Sequence, residues 1–267
     1  MALRALFRGK PDPPPCDPVQ AEVPKLRDAD MAATYYEPRI GGDLCDFIRV
    51  RPDMVLFALL DVAGRLKENS YIVSAAQTTF RKFGSTLFAK DDINEAEAMI
   101  DLCLELNRTI LQSAESVREC SAFAGCYRER LGTVCYFNAG HTPGLLLDQS
   151  GITELTATGL PLGLFTHAVC DASIVALPPG ASLLLVSRGV AEAEWDGSEF
   201  GLDRVKEYLL QKGAQNASGL CNALLTQLQL SCAKRTANDL TAMALVRASN
   251  SHGRPICFRA DSSESLT

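Results

Sequence analysis

Three short segments carry carboxylates at the ends of apolar runs, two of them beside glycine: Gly41-Gly42-Asp43-Leu44-Cys45-Asp46, Asp61-Val62-Ala63-Gly64 and Asn238-Asp239-Leu240-Thr241. Carboxylate oxygens are the donors that hard cations such as Mg2+ and Mn2+ take, and a neighbouring glycine lets a backbone carbonyl come close enough to add another oxygen. Taken one at a time, such residues also make ordinary turns. The chemistry requires a fold that brings all three segments to one centre.

Hydrophobic patterning supplies the elements that must do this. Strands are expected at 31–36, 45–50 and 54–61, the last almost wholly apolar and so buried on both faces. Two helices follow, at 69–88 and 92–113; in the second, Ile93, Ala96, Ile100, Cys103, Leu106 and Ile110 recur at helical spacing, and Asp91 and Asp92 suit its first turn. Strands return at 119–127 and 131–137, joined through Arg128-Glu129-Arg130, and then at 144–147, 152–155, 172–177 and 181–187. Helices at 202–212 and 218–232 precede a last strand at 239–247. Strands grouped as hairpins, with helices in pairs, predict an α+β fold with antiparallel sheets.

Residues 11–18, with five prolines in eight positions, cannot form helix, so residues 1–30 are expected to be an arm, 31–247 the folded domain and 248–267 a flexible tail. The 26 basic against 32 acidic residues leave a net charge of −6, which argues against nucleic-acid or anionic-membrane partners. No apolar run approaches the roughly 20 residues of a spanning helix, and the first ten residues lack a secretory apolar stretch. Ten cysteines without Cys-x-x-Cys spacing, mostly inside apolar segments, fit reduced core thiols and a cytoplasmic setting.

With its elements in place, the chain resembles the PPM-type metal-dependent protein phosphatases, in the bacterial branch typified by the stage II sporulation protein E serine phosphatases. Residues 32–43, ending Gly41-Gly42-Asp43, resemble that family's opening strand and Gly-Gly-Asp motif, and Leu60-Asp61-Val62-Ala63-Gly64 its Asp-Val-Ser-Gly. Asn138-Ala139-Gly140-His141-Thr142-Pro143 is similar to its Asn-Ala-Gly-His-Asn-Pro turn, and Gly159-Leu160-Pro161-Leu162-Gly163 to its Gly-x-Pro-Leu-Gly. Ser187-Arg188-Gly189-Val190-Ala191-Glu192-Ala193 stands where the family has Thr-Asp-Gly-Val-Thr-Glu-Ala, and Asn238-Asp239-Leu240-Thr241 in place of Asp-Asp-Ile-Thr. The resemblance implies an αββα sandwich of two antiparallel sheets between helix pairs. It also implies hydrolysis of phosphoserine or phosphothreonine on a regulatory phosphoprotein, such as an anti-sigma-factor antagonist, by water activated at Mn2+ or Mg2+. Asp61 then matches the bridging carboxylate, Val62 lends its backbone carbonyl, and Asp43 holds a metal or its water.

Two departures fall on one metal position. Arg188 replaces the aspartate of Thr-Asp-Gly and Asn238 the first aspartate of Asp-Asp-Ile-Thr. A guanidinium stays protonated and only donates, and an amide keeps an oxygen but no charge. Asp239 is not expected to substitute, since neighbours on a strand face opposite ways. The expectation is therefore one metal site retained and a second replaced by an Arg188–Asp61 salt bridge, of bidentate form, with Gly42, Asp46, Gly64, Gly189 and Asp239 nearby. The residues between Gly64 and Ala75 also depart from the family, which predicts an altered loop there. Two functions follow: a phosphatase with a reduced metal site, or a pseudophosphatase that binds its partner without turnover. His141 is expected to bond the backbone of its turn, Trp195 to pack beneath a loop, Cys45 to lie in the core, and Arg49, Arg51 and Lys82 to line a solvated face.

Overall fold

Strands that arrive in pairs close as hairpins, and here they build two antiparallel five-stranded sheets packed face to face. The computed structural model describes residues 23–35, 42–64, 66–90, 92–114, 118–195, 197–212, 216–231 and 238–249. The proline-rich segment up to residue 22 and the tail from 250 onward lie outside the described residues. In chain order the elements are β1 (Ala29–Tyr35), β2 (Gly42–Arg51), β3 (Met54–Val62), α1 (Leu66–Phe88), α2 (Glu95–Ser113), β4 (Cys120–Arg128), β5 (Thr133–Ala139), β6 (Gly144–Asp148), β7 (Gly151–Leu155), β8 (Ser173–Ala176), β9 (Ser182–Val186), α3 (Arg188–Ala191), β10 (Glu194–Trp195), β11 (Ser198–Glu199), α4 (Gly201–Lys212), α5 (Ala217–Ser231) and β12 (Thr241–Arg247).

One sheet has the order β1-β12-β9-β6-β7 and the other β2-β3-β4-β5-β8. Strand alternation divides the apolar residues into three layers. On β3, Val55, Phe57 and Leu59 enter the layer between the sheets, while Met54, Leu56, Ala58, Leu60 and Val62 face α1 and α2. On β12, Met243 and Leu245 join the central layer, and Ala242, Ala244 and Val246 pack beneath α4 and α5. This is the expected αββα sandwich. Every residue of β3 is buried, as its uninterrupted apolar run requires of a strand with helices on one side and a sheet on the other.

Local chemistry moved several boundaries. The N-cap of α2 is Asn94, whose Oδ1 accepts from Glu97 N, rather than Asp91 or Asp92, because its extended backbone aims the side chain at the first turn. Helix α1 starts at Leu66, so the residues expected to form an altered loop after Gly64 are already its first turn. The short α3 and the β10–β11 ribbon are absent from the sequence reading. They are too short for any periodicity to register; the ring contact of Trp195 on Phe200, 5.1 Å between centroids, and the Arg204 guanidinium donating to Glu199 O help tie the ribbon down.

Gly125 shows how closely the central layer packs. It sits opposite Phe57 across β3 and β4, and a Cβ there would come within 2.4 Å of Phe57 Cζ. The ring is fully buried and has nowhere to retreat. Gly125→Ala should therefore destabilise by about 1–3 kcal/mol through overpacking, and adding Phe57→Leu should recover part of the loss. Chemical denaturation of the two variants measures both.

Candidate functional site

At one end of the sandwich the start of β2, the end of β3, the end of β9 and the start of β12 meet. Asp43 and Asp61 are direct register partners on β2 and β3, and both take the same alternating positions as the residues of the central layer. They are 3% and 8% exposed, so two like charges are held side by side away from water. From the opposite sheet Thr241 Oγ1 donates to Asp43 Oδ2 at 2.6 Å, and the backbone N–H of Asp43 donates to Asp239 Oδ2 at 3.4 Å. Burial holds the Asp43 carboxyl well above the usual carboxylate range, with the Asp61 charge adding to it against the Thr241 hydrogen bond. Asp61 is raised as well, by burial first, while the Arg188 guanidinium opposes the shift. Cys120, opposite Val62 on β4, has its thiol pushed far up by burial and by both carboxylates, and stays protonated.

Close backbone contacts fix this geometry. A Cβ on Gly42 would stand 2.5 Å from Val62 O, so β2 can meet the end of β3 only through glycine. Asn69 on α1 donates its Nδ2 to Val62 O at 3.1 Å and to Ala63 O at 3.0 Å, holding the carbonyl expected to face a metal. Across the gap, Ser187 Oγ donates to Asp239 O and accepts from Thr241 N, and a Cβ on Gly189 would lie 2.1 Å from Asp239 O. Ser187 and Gly189 thereby hold the segment that delivers Asp239 and Thr241.

Arg188 and Asn238, the residues expected to replace metal ligands, both lie near this centre. Arg188 Nε is 3.5 Å from Asp61 Oδ2 and 4.0 Å from Glu192 Oε1, a single long contact rather than the bidentate fork that was expected. Asn238 Nδ2 donates to Glu192 Oε2 at 3.1 Å, facing α3. Asp239 was expected near the site but as a weak substitute for a ligand at 238; strand alternation counted from Thr241 places Asp239, not Asn238, on the inward face. Asp46 does not join them. Its carboxylate projects into the helical layer, where Arg81 Nε and Nη2 bind it at 2.6 and 2.7 Å. Arg49 and Arg51 are committed elsewhere, Arg49 to Glu129 at 2.6 Å and Arg51 to the Lys90 carbonyl. Thr241, Ser187, Glu192 and Asn69 are site residues that motif reading passed over. Thr241 and Glu192 had a signal, two residues from Asp239 on one strand face and four from Arg188 on one helix face, whereas nothing marks Asn69.

Among the described residues no three His, Cys, Asp or Glu side chains converge into a metal-binding group. Asp43, Asp61, Asp239 and Glu192 against Arg188 leave the centre net acidic, a field that favours a divalent cation. Two carboxylates completed by backbone oxygen and water are a normal shell for Mg2+, so the residues fit one hydrated divalent cation at Asp43 and Asp61.

Residues 51–248 match the family of stage II sporulation protein E (SpoIIE). The chain belongs to that family. SpoIIE-type domains are PPM phosphatases, metal-dependent hydrolases of serine/threonine phosphoproteins. The phosphoserine phosphatase RsbP of Bacillus subtilis (strain 168) is 26% identical over 179 residues, 63% of this chain and 41% of that protein, so the chain spans under half the length of this relative. In fold it is similar to the SiaA-PP2C domain of Pseudomonas aeruginosa, with TM-score 0.68, 16% identity and coverage of 81% of this chain and 85% of that one. It is also similar to the phosphatase domain of SpoIIE from Bacillus subtilis, with TM-score 0.62, 13% identity and coverage of 90% and 97%. RsbX in complex with magnesium gives TM-score 0.62 at 12% identity, covering 86% of this chain and 100% of that one. No helix of the described residues is long and apolar enough to cross a membrane.

The family's Asn-Ala-Gly-His turn also has a physical role here. His141 is 4% exposed, its backbone N–H donates to Asn138 Oδ1 at 2.8 Å, and Nδ1 faces Thr142 O at 3.0 Å. Burial lowers its pKa from 6.5 to about 4, so the folded protein keeps the ring neutral. Below pH 6.5 the unfolded chain takes up this proton and the folded one does not, so stability is lost as pH falls towards about 4. The unfolding free energy of wild type relative to His141→Gln should drop by roughly 3 kcal/mol between neutral pH and that lower limit. Urea titrations of both proteins across the interval measure the difference.

Proposed function

We propose that the chain hydrolyses phosphoserine or phosphothreonine on a regulatory phosphoprotein of the anti-sigma-factor-antagonist type, using one divalent cation held by Asp43, Asp61 and the Val62 carbonyl. Membership of the SpoIIE family supports the reaction class. The observation that carries the reading in this chain is the buried, in-register pairing of Asp43 with Asp61 at the junction of the two sheets. A Mg2+ or Mn2+ ion bound there supplies Lewis-acid activation of water for in-line attack on phosphorus. Thr241 holds one oxygen of Asp43, which fixes the orientation of the carboxylate, and Asn69 holds the Val62 carbonyl. Both groups are thus set before any ligand arrives, which lowers the reorganisation the site must undergo.

The Arg188–Asp61 contact favours a second reading, a pseudophosphatase that binds the same phosphoprotein without turnover. Hydrolysis of a phosphoserine protein with and without Mn2+ separates the two. Wild type should turn over only with the metal, lose at least about 100-fold in Asp61→Asn, and bind one cation per chain by calorimetry. The double variant Arg188→Asp, Asn238→Asp should bind two. Turnover in the double variant alone would establish the second reading, and two tight sites in wild type would refute the single-cation centre.

A further inference from the structure

Resting on the phosphatase reading, we infer that Arg188 binds the phosphoryl oxygens of the substrate, supplying the positive charge that a second metal ion would otherwise bring. The guanidinium is held but not consumed. Nε lies 3.5 Å from Asp61 and 4.0 Å from Glu192 without making a hydrogen bond, and the two Nη groups bond to no described residue. An arginine that served only to neutralise Asp61 would turn its fork onto the carboxylate, as Arg81 does on Asp46 with contacts of 2.6 and 2.7 Å. Arg188 instead leaves the fork open. Its side chain is 40% exposed against 10% for Asp61, so it stands between the buried carboxylates and the surface from which a phosphoprotein must approach.

The charge balance points the same way. A phosphate monoester brings close to two negative charges towards Asp43, Asp61 and Asp239, and Arg188 is the cation whose charge acts on Asp61 there. Its planar fork can grip two phosphoryl oxygens at once, which an ammonium cannot. The neighbouring groups leave room for this. Glu192 is occupied by the Asn238 amide, and His141, whose ring carries no charge at neutral pH, leaves Nε2 buried with no hydrogen-bond partner. One substitution thus removes a metal ligand and installs a phosphate ligand at the same position.

Titration with inorganic phosphate, followed by 31P NMR line broadening in saturating Mg2+ and again in EDTA, tests this without relying on turnover. Wild type should bind in both, more loosely in EDTA because the carboxylates are then uncompensated. Arg188→Gln should bind about tenfold or more weakly, Arg188→Lys between the two, and Lys82→Gln, which removes an exposed cation of α1, like wild type. Thermal unfolding midpoints verify that each variant is folded, and the lysine variant decides the matter should the glutamine variant not be. Phosphate affinity within about twofold of wild type in Arg188→Gln, or an equal loss in Lys82→Gln, would overturn the inference. Steady-state hydrolysis separates this from the functional reading: raised KM with little change in kcat in Arg188→Gln supports both. Phosphate binding through Arg188 with no turnover of any phosphoserine protein would sink the phosphatase reading alone. Turnover with KM unmoved in Arg188→Gln would sink the Arg188 assignment alone.

Discussion

Two aspartates side by side on neighbouring strands, in the layer where two sheets pack, are the constraint around which this end of the molecule is organised. Each buried carboxylate loses its hydration, and the pair repel; both effects act against folding. The fold offsets them with a hydroxyl from Thr241 and a guanidinium from Arg188. The glycines follow from this. Gly42 and Gly189 occur where a Cβ would strike the carbonyl of Val62 or of Asp239, so bulkier residues would push apart the segments that hold the carboxylates. Specificity of position is thus enforced by backbone contact, and charge is left uncompensated where a ligand must bind.

Sandwich architecture was legible because the patterns that specify it are long. Nine consecutive buried residues in β3, or seven buried positions at helical spacing in α2, leave little choice of element or face. Carboxylates were harder, because a motif names residues and not the face each one takes. Asp46 lies three residues from Asp43 and so on the opposite face, where Arg81 on α1 binds it; only knowing that β2 stays extended through Cys45 separates the two. For Asp239 the anchor is Thr241, two residues on and on the same face, which reaches Asp43.

What could not be read is the set of polar contacts that form only once the elements pack together. Asn69 reaches back over the end of β3, and Ser187 bridges to residues some fifty positions later. Neither belongs to a periodic pattern, and each is chosen by geometry that exists only once the sheets have packed. These polar ties carry as much of the site's precision as the aspartates do. A carboxylate that rotates freely binds a cation less well than one whose second oxygen is already held.

Arginine at position 188 changes the balance rather than abolishing it. With Asp43, Asp61, Asp239 and Glu192 around one fixed cation, the centre is net acidic before any ligand binds. An aspartate in place of Arg188 would make it more acidic by two charges. On the function proposed above, Arg188 supplies a charge that is always present, where a metal ion's occupancy would depend on its concentration. Permanence has a consequence for substrate discrimination. A metal ion accepts oxygen ligands of many kinds, whereas a guanidinium fork prefers paired oxygens in a plane. A site built this way distinguishes a phosphoryl group from water by shape as well as charge, and it does so with fewer groups to order when the phosphoprotein arrives.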